Sequence, residues 1–448
     1  MRFEPPGVGT PTPVRLPERV RESLGPGVDV CVLPWSPAPV VTVALMIEAG
    51  ASADPADRPG LASLTADLLD EGAGGRDAVQ IAEAFERLGS NVEIDAGQDL
   101  AVVTFTTLSR HLDAALALMA DIVMRPHLLE ADFTRIRTLR LNRLRQLRTS
   151  ASAAADRAFV SAVLASHPYG HGSLGTSRSL EALTLDEVRR FYADTWGPAG
   201  ATLIVAGDVP VDAAISMAKA RFGDWRVRHT APVPPGVPSP TPPRVVLVDR
   251  PGAPQSELRI GHLGPLRTTS DYHALVTLNA ALGGQFKSRI NHHLRETKGY
   301  TYGARTGFDF RRAASTFSCD TSVQSNATVA AVSDILAEFE AVRSTQPIDA
   351  DELERAKDSL TRGYVRRFET AADLVRAAAE IARFSLPDDT FDRFVPAVSQ
   401  MTAGQVIDAA RRWIDPGACI AVVVGDANGC RLGLAELGRE IVETTPEF

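Results

Sequence analysis

The apolar positions in the first part of the chain alternate between a strand period and a helix period. Residues 28–33 and 40–47 read as strands, and the second, VVTVALMI, is an apolar run typical of a strand that is covered on both faces. From Gly60 the leucines recur with a helical period as far as Gly72, and residues 78–88 predict a second helix. The remaining predicted elements of this part are a strand and three helices, at residues 100–108, 112–122, 133–147 and 155–164. The first part of the chain is therefore expected to mix strands and helices.

A passage of capped helix, turn and strand occurs twice in the chain. Thr184 opens a capping box whose helix runs to Trp196, and the strand after it ends in Gly-Asp. Thr402 opens the same arrangement, in which the helix runs to Trp413 and the strand again ends in Gly-Asp. The threonine, a helical valine, the tryptophan, a proline and the Gly-Asp pair recur in order at an offset of about 217 residues. The sequence therefore predicts two homologous copies of one domain.

A proline-rich stretch separates the two copies. Residues 226–244, RVRHTAPVPPGVPSPTPPR, favour a semi-rigid tether over helix or strand. We therefore expect an N-terminal domain of residues 1–225 and a C-terminal domain of residues 245–448. In the second domain, the apolar pattern of residues 271–282 predicts a helix that corresponds to the helix beginning at Gly60.

Composition and charge narrow the classes of function. The net charge of −8 over 448 residues argues against a protein that binds phosphate backbones, so no nucleic acid partner is expected. No segment approaches the roughly 18 apolar residues of a membrane span, and the first residues carry no apolar run of signal-peptide length. The four cysteines form no C-x-x-C pair, which favours buried thiols in a reducing compartment. We expect a cytoplasmic protein with no membrane partner.

A glycine-bounded stretch, residues 283–303 with the sequence GGQFKSRINHHLRETKGYTYG, predicts a short helix and then a strand. Phe286, Ile290 and Leu294 recur every four residues, which indicates a helix with one apolar stripe. Gly299 follows a basic last turn and is expected to end that helix. The alternation of apolar and polar residues after it predicts the strand.

Arg295 and Tyr302 of this stretch are candidates for a shared site. Arg295 lies on the last predicted helical turn, and Tyr300 and Tyr302 are expected on one face of the predicted strand. A guanidinium and a phenol can both donate hydrogen bonds to a carbonyl or an oxyanion. The structural alternative is that Arg295 complements the helix dipole and Tyr302 is a strand tyrosine of the core.

The chain resembles the M16 family of zinc metallopeptidases (pitrilysin, insulinase and mitochondrial processing peptidase), in the group with half-length subunits. The resemblance rests on four passages, PGLASLTADLLDEG, FERLGSNVEIDAGQDLAVVTF, HPYGHGSLGT and GGQFKSRINHHLRETKGYTYG. It implies an α+β fold of two homologous domains, each a β-sheet layered with helices, in agreement with the duplication.

The sequence departs from this family at the metal site. Catalytic members carry an inverted His-x-x-Glu-His on the helix that begins here at Gly60, where two histidines one turn apart ligate zinc and the glutamate activates water. The resemblance puts Ser63, Ala66 and Asp67 at these three positions. Because Asp67 alone cannot hold a catalytic zinc, we expect a degenerate site and no metal bound by this chain.

The third zinc ligand of the family is a glutamate on a later helix. The corresponding window, residues 133–148, contains no carboxylate, and Asn142 or Arg143 stands about where the glutamate would be. The window instead carries six arginines, namely Arg135, Arg137, Arg140, Arg143, Arg145 and Arg148. They form either a solvated face paired with acids of neighbouring helices or a chamber lining that attracts acidic peptide segments.

The resemblance gives Arg295 and Tyr302 a role. In the half-length group the active enzyme is a pair of subunits, one with zinc and the other with an arginine and a tyrosine at this interval. It implies that Arg295 holds a substrate backbone carbonyl and that Tyr302 hydrogen-bonds the scissile carbonyl as it becomes an oxyanion. Gly283 and Gly284 would either let the substrate approach the backbone closely or form a plain loop.

We therefore expect a non-catalytic subunit of a heterodimeric zinc endopeptidase. Its partner would be a zinc-binding M16 subunit with the His-x-x-Glu-His motif, and its substrate would be a peptide. One alternative is a non-enzymatic scaffold or peptide-binding protein resembling respiratory-complex core subunits. Another is a stand-alone peptidase with unfamiliar metal ligands.

Overall fold

The computed structural model describes residues 9, 13–25, 27–226 and 235–448. Strands and helices alternate along this part of the chain. The strands within these residues are β1 Val20–Gly25, β2 Val28–Pro34, β3 Val40–Ile47, β4 Gly72–Ala73, β5 Arg76–Asp77, β6 Val92–Ala96, β7 Ala101–Leu108, β8 Ala201–Gly207, β9 Val245–Asp249, β10 Gln255–Leu263, β11 Ala304–Phe310, β12 Ser315–Gln324, β13 Ile420–Gly425 and β14 Ile441–Glu443. The α-helices are α1 Leu61–Asp67, α2 Ala78–Arg87, α3 Leu112–Met124, α4 Glu130–Thr149, α5 Ala151–Leu164, α6 Ser177–Ala182, α7 Leu185–Thr195, α8 Val211–Phe222, α9 Tyr272–Leu282, α10 Arg289–Asn291, α11 Thr328–Arg343, α12 Ala350–Arg362, α13 Ala371–Phe384, α14 Phe394–Ser399, α15 Ala403–Trp413 and α16 Ala427–Ala435.

Two six-stranded sheets have the same strand order. From one edge to the other, the first runs β6-β7-β3-β8-β2-β1 and the second β11-β12-β10-β13-β9-β14. In both sheets, three antiparallel pairings are followed by one parallel pairing, β8 with β2 and β13 with β9. Only the last strand differs, because β1 is antiparallel to β2 whereas β14 is parallel to β9. The prediction of an α+β fold with two homologous sheet-and-helix domains is confirmed.

The repeated helix is capped in both halves as its sequence predicts. Thr184 caps α7 and Thr402 caps α15. The side chain of each threonine accepts a hydrogen bond from the backbone N–H of the third helical residue, and the side chain of that residue accepts one from the threonine N–H. The apolar run of β3 is buried on both faces. Val43 and Leu45 belong to the core under the helices of the first half, whereas Met46 faces the other side of the sheet.

The second face of each sheet is covered by a helix from the other half. Helix α13 of the second half packs Leu374 against Met46 of the first sheet. Helix α5 of the first half packs Ala155 against Val422 of the second sheet. Both helices are rich in alanine, which lets them approach the strands closely. Each half was expected to consist of one sheet layer and one helix layer. In the structure each sheet also has a helix of the other half on its second face, which makes a third layer.

A buried polar network joins the two halves. Asp99, whose side chain is 2 % exposed, accepts hydrogen bonds from Arg383 at 2.7 and 3.0 Å and from the Tyr169 hydroxyl. Arg312 donates two hydrogen bonds to Glu48, at 2.6 and 2.8 Å. Because the two acids lie in the first half and the two arginines in the second, this network holds the halves in one orientation.

The predicted linker is described only in part. Its residues 227–234 lie outside the described residues, and residues 235–244 carry no helix or strand. The boundaries proposed at residues 225 and 245 stay a prediction. None of the described helices combines the length and the apolar run that crossing a bilayer requires.

Candidate functional site

Helix α1 carries Ser63, Ala66 and Asp67, the three positions that the sequence interpretation assigns to a degenerate metal site. The Asp54 carboxylate accepts hydrogen bonds from two backbone N–H groups at the start of this helix, both at 2.7 Å. Burial raises the pKa of the Asp54 carboxyl to about 7, and the two N–H groups oppose that rise. Ser63 and Ala66 are buried, whereas the Asp67 side chain at the last turn is 39 % exposed.

The guanidinium of Arg140, from α4, lies against these positions. It donates to the Ser63 hydroxyl at 2.6 Å, to the Ser63 carbonyl at 2.7 Å and to the Asp67 carboxylate at 2.5 and 2.8 Å. Arg140 is 7 % exposed. Burial raises the pKa of the Asp67 carboxyl, and the guanidinium opposes that rise. A side-chain cation therefore ties α1 to α4 at the positions that the sequence interpretation assigns to a degenerate metal site.

These side chains do not fit a catalytic zinc. Zinc is held by imidazole, thiolate or carboxylate groups, and catalytic sites have three protein ligands. Ser63 and Ala66 supply a hydroxyl and a methyl group, and the one carboxylate, Asp67, is already paired with a guanidinium that repels a second cation. Within the described ranges, no three His, Cys, Asp or Glu side chains are grouped so that they could hold a metal ion.

The residues expected at the position of the third ligand do not face α1. The sequence interpretation named Asn142 or Arg143, but both are on the exposed face of α4, where Asn142 accepts a hydrogen bond from Arg145 at 2.7 Å. Arg140 is the residue of this window that faces α1. The helical phase of α4 relative to α1 decides which arginine points inward.

The arginine-rich face of α4 is only partly paired with acids. Arg135 forms an ion pair with Glu71, and Arg140 forms one with Asp67. Arg137 donates instead to the Leu183 carbonyl at 3.1 Å. The solvated-face interpretation therefore describes part of the run, and the chamber lining that attracts acidic peptides stays a hypothesis.

Arg295 lies in a π-helical turn, His292–Thr297, that continues α10. Ile290 and Leu294 are buried as predicted, but Phe286 precedes the helix and is 67 % exposed, so the predicted apolar stripe of three residues is wrong. The wider π turn changes the phase of the side chains relative to the α-helix assumed from the sequence. Such single π turns are frequent at functional sites.

The Arg295 guanidinium is held over an aromatic ring and has few other partners. Its Cζ atom is 4.3 Å from the centroid of the Phe286 ring. Its ion-pair contact, from Nε to the Glu296 carboxylate, is 3.5 Å long. Among the described residues no other side chain pairs with it, and the side chain is 31 % exposed. Its N–H groups are therefore free to bind a ligand.

Tyr302 precedes the strand on which it was expected. Strand β11 begins at Ala304, and Tyr302 lies in a short turn in which the Thr301 hydroxyl bonds to the backbone of Gly303 at 2.9 and 3.0 Å. Tyr300 packs against the core of the second half, whereas Tyr302 is 91 % exposed. The shared strand face is therefore wrong, and so is the alternative of a core tyrosine.

A buried amide ties together the segments that carry the two candidate residues. Asn291, which is 4 % exposed, donates to the Phe286 carbonyl at 2.5 Å and accepts from the Ala304 N–H at 2.9 Å. The loop before the helix and the start of β11 are thereby joined. Arg295 and Tyr302 lie on the second half, on segments adjoining this amide, and the Arg140 cluster lies on the first.

Gly283 and Gly284 are explained by internal packing. A Cβ atom on Gly283 would lie 2.4 Å from the Thr306 hydroxyl, and one on Gly284 would lie 2.7 Å from the Asn279 amide. The Gly283 carbonyl also accepts the Thr306 N–H at 3.1 Å. Gly283 thus lets the end of α9 approach β11, and Gly284 lies against Asn279 of α9. Close packing within the second half therefore accounts for both glycines, whereas the sequence suggested either a close approach of the substrate or a plain loop.

A groove of about 1050 Å³ lies beside this segment. Phe286, His292 and His293 are among its lining residues, so the two histidines share a cavity although they are adjacent in the helix. His293 lies 3.3 Å from the Asp334 carboxylate. The groove is linked to Arg295 through Phe286, which lines it and contacts the guanidinium.

The sequence interpretation missed the network around Asp99 and Tyr169. Both residues occur in passages that carry the family resemblance, but no local pattern indicated that they meet each other and the second half. Burial and the hydrogen bond to Asp99 raise the pKa of the Tyr169 hydroxyl, which therefore stays a donor. Unpaired polar residues in otherwise apolar passages were the available signal.

Two family descriptions match most of the chain. "Insulinase (Peptidase family M16)" matches residues 30–177, and "Peptidase M16 inactive domain" matches residues 182–360. A crystal structure described as a peptidase M16 inactive domain, from Pseudomonas fluorescens, superimposes with a TM-score of 0.86 at 25 % identity and covers 91 % of this chain and 98 % of that one.

Curated relatives give a similar picture at lower coverage. An uncharacterized zinc protease of Mycobacterium tuberculosis is 26 % identical over 271 residues, which are 60 % of this chain and 62 % of that protein. A non-peptidase homolog of Helicobacter pylori is 22 % identical over 174 residues, 39 % of this chain and 40 % of the relative. The chain thus spans less than two thirds of the length of the mycobacterial protein that it matches.

Proposed function

Because this chain belongs to the peptidase M16 (insulinase) family, we propose that it is the metal-free subunit of a heteromeric zinc endopeptidase. Its fold is of the inactive type in that family. In this proposal a companion subunit carries the His-x-x-Glu-His motif and the zinc, and the two subunits form a heterodimer. The substrate is an extended peptide that lies between them.

A contrast between the two halves carries the proposal. In the first half, the degenerate metal positions are closed by the four hydrogen bonds of Arg140 to Ser63 and Asp67. In the second half, Arg295 and Tyr302 keep donor groups that no described side chain engages through a short hydrogen bond. Exposed, unpaired donors of this kind suit contact with a peptide rather than with the core.

In the proposed mechanism the two residues act on different parts of the substrate. Arg295 donates to a backbone carbonyl of the extended peptide and so holds its register. Tyr302 donates to the oxygen of the scissile carbonyl, where negative charge develops in the transition state. The companion subunit's zinc supplies the activated water. Ser63, Ala66 and Asp67 take no part in the chemistry.

Purification with and without the companion subunit tests the assignment. Alone, the chain is expected to hold no stoichiometric zinc and to cleave no peptide, whereas the complex cleaves. In the complex, Tyr302→Phe is expected to lower kcat by about 10²- to 10³-fold, the usual effect of losing an oxyanion donor. Arg295→Ala is expected to raise KM.

Neighbouring residues provide matched controls for both variants. Tyr300 is half-buried and lies two positions before Tyr302, and Tyr300→Phe removes its hydroxyl. Arg305→Ala removes an exposed guanidinium on β11. Both are expected to cleave like the wild type. If Arg295→Ala and Tyr302→Phe also cleave at the wild-type rate, the site assignment is wrong.

The H. pylori relative supports a second candidate, a non-enzymatic scaffold or peptide-binding protein, because that protein is described as a non-peptidase homolog. The two candidates differ in their partner. Affinity capture from the native source is expected to retain a subunit with a His-x-x-Glu-His motif if the chain serves an endopeptidase. Capture of partners that all lack this motif would favour the scaffold.

We also propose a cytoplasmic location. The described cysteines, Cys31, Cys319, Cys419 and Cys430, are buried and unpaired, which suits a reducing compartment. Burial raises the pKa of the Cys419 thiol to about 12, so this thiol stays protonated and unreactive.

A further inference from the structure

We propose that Phe286 is the positioning residue that holds Arg295 ready for the peptide, an inference that rests on the function proposed above. The Phe286 ring lies 4.3 Å from the Arg295 guanidinium carbon, within the range of a cation–π interaction. The other charged contact of Arg295, to Glu296, is 3.5 Å long and links adjacent residues. The ring is therefore the main support of the guanidinium outside its own helical turn.

The exposure of Phe286 shows that it does not serve the core. It is 67 % exposed, and the core of the second half closes over Ile290 and Leu294 without it. Its ring instead lies against the Arg295 guanidinium. Its contact with Arg295 accounts for its place.

The backbone under Phe286 is fixed even though its ring is exposed. The buried Asn291 amide donates to the Phe286 carbonyl at 2.5 Å and accepts from the Ala304 N–H at 2.9 Å. The same amide thus anchors the ring under Arg295 and the strand that follows Tyr302. A preset guanidinium loses less conformational freedom when it binds a carbonyl, so this support strengthens substrate binding.

Phe286 and Lys287 line two grooves, of about 1050 and 720 Å³. The ring that contacts the Arg295 guanidinium therefore borders both open spaces. An extended peptide that passes Phe286 can place a backbone carbonyl on Arg295 and its flanking side chains in the grooves. The contact with the ring uses none of the guanidinium N–H donors as a hydrogen bond, so they can serve that carbonyl.

Kinetics of Phe286 variants in the zinc-containing complex test the proposal, with an internally quenched peptide that the complex cleaves as the probe. Phe286→Ala is expected to raise KM by about 2- to 5-fold, the size of an exposed cation–π contact, and to leave kcat unchanged. Phe286→Tyr keeps a ring and is expected to restore the wild-type KM. Because the side chain is mostly exposed, the thermal midpoint of Phe286→Ala should stay that of the wild type, and Leu432→Ala at another exposed apolar residue should change nothing.

A double-mutant cycle separates positioning from direct contact. Phe286→Ala in the background of Arg295→Ala is expected to have no further effect on KM, because the ring then supports nothing. The inference would be overturned by an unchanged KM in Phe286→Ala, or by an equal effect of Phe286→Ala in both backgrounds. The proposed function would still stand in that case if Arg295→Ala alone raises KM. If Arg295→Ala itself has no effect, the proposed function fails and this inference fails with it.

Discussion

Replacing Arg140 should destabilise the first half although no metal or substrate is involved. The side chain is 7 % exposed and gives four hydrogen bonds to Ser63 and Asp67. In Arg140→Met the apolar stem is kept and the guanidinium is lost. The buried Ser63 hydroxyl and carbonyl then each lose one donor, and the Asp67 carboxylate lacks its counter-charge.

The structure sets the size of this effect. Removing one member of a fully buried ion pair costs about 3 to 5 kcal/mol, but the Asp67 side chain is 39 % exposed and regains some hydration. We therefore expect a loss of about 2 to 4 kcal/mol in the free energy of unfolding. Arg140→Lys keeps the charge without the planar fork and should lose an intermediate amount.

Urea unfolding followed by circular dichroism measures the change, with Arg143→Met as the matched control. Arg143 lies on the same helix, is exposed, and has no ion pair within the described part of the chain. Its replacement should change the free energy of unfolding by less than about 0.5 kcal/mol. Adding Asp67→Asn to Arg140→Met should recover part of the loss, because no unpaired carboxylate then remains. If Arg140→Met loses no more stability than Arg143→Met, the guanidinium does not hold α1 to α4.

Two further predictions concern stability. Gly283→Ala should lower the thermal midpoint of unfolding because its Cβ atom would lie 2.4 Å from the Thr306 hydroxyl. Gly307→Ala should leave the midpoint unchanged because the space around its Cβ atom is open. Equal midpoints in the two variants would contradict this packing role of Gly283. The Nε2 atom of His262 accepts the Asp415 N–H at 3.0 Å, and burial lowers the pKa of this imidazole. The unfolded chain therefore binds a proton at His262 more readily than the folded chain does. As a result, the free energy of unfolding falls as the pH drops below about 6.5. Urea unfolding at about pH 7.5 and pH 5 should therefore show a smaller acid-induced loss in His262→Gln than in the wild type, and an equal loss would contradict this role.

The local elements were predictable because their causes lie within a few residues. The apolar run of β3 and the capping boxes at Thr184 and Thr402 follow from side-chain period and cap chemistry alone. The recurrence of the capped helix indicated the duplication, and the two sheets have the matching strand order. The proposed departure from the zinc motif rests on the family resemblance and on which residue types stand at Ser63, Ala66 and Asp67.

The candidate site was predictable only in outline. Arg295 was expected on an α-helix and Tyr302 on a strand, but a π turn and a tight turn at Thr301 moved both. Periodicity assumes regular geometry, and each irregular turn changes the direction in which the following side chains point. The support of Arg295 by Phe286 follows from that irregular path, so the sequence did not reveal it.

The chain's sequence by itself determined most of its regular elements and its internal duplication. Only the tertiary structure decided which arginine faces α1, which helices are exchanged between the sheets, and how the halves are joined. Arg140 and Ser63 are 77 positions apart, and Asp99 and Arg383 are 284 apart. The physical reason is range: side-chain period and caps act within a few residues, whereas a buried charge is satisfied by whichever partner the fold brings to it.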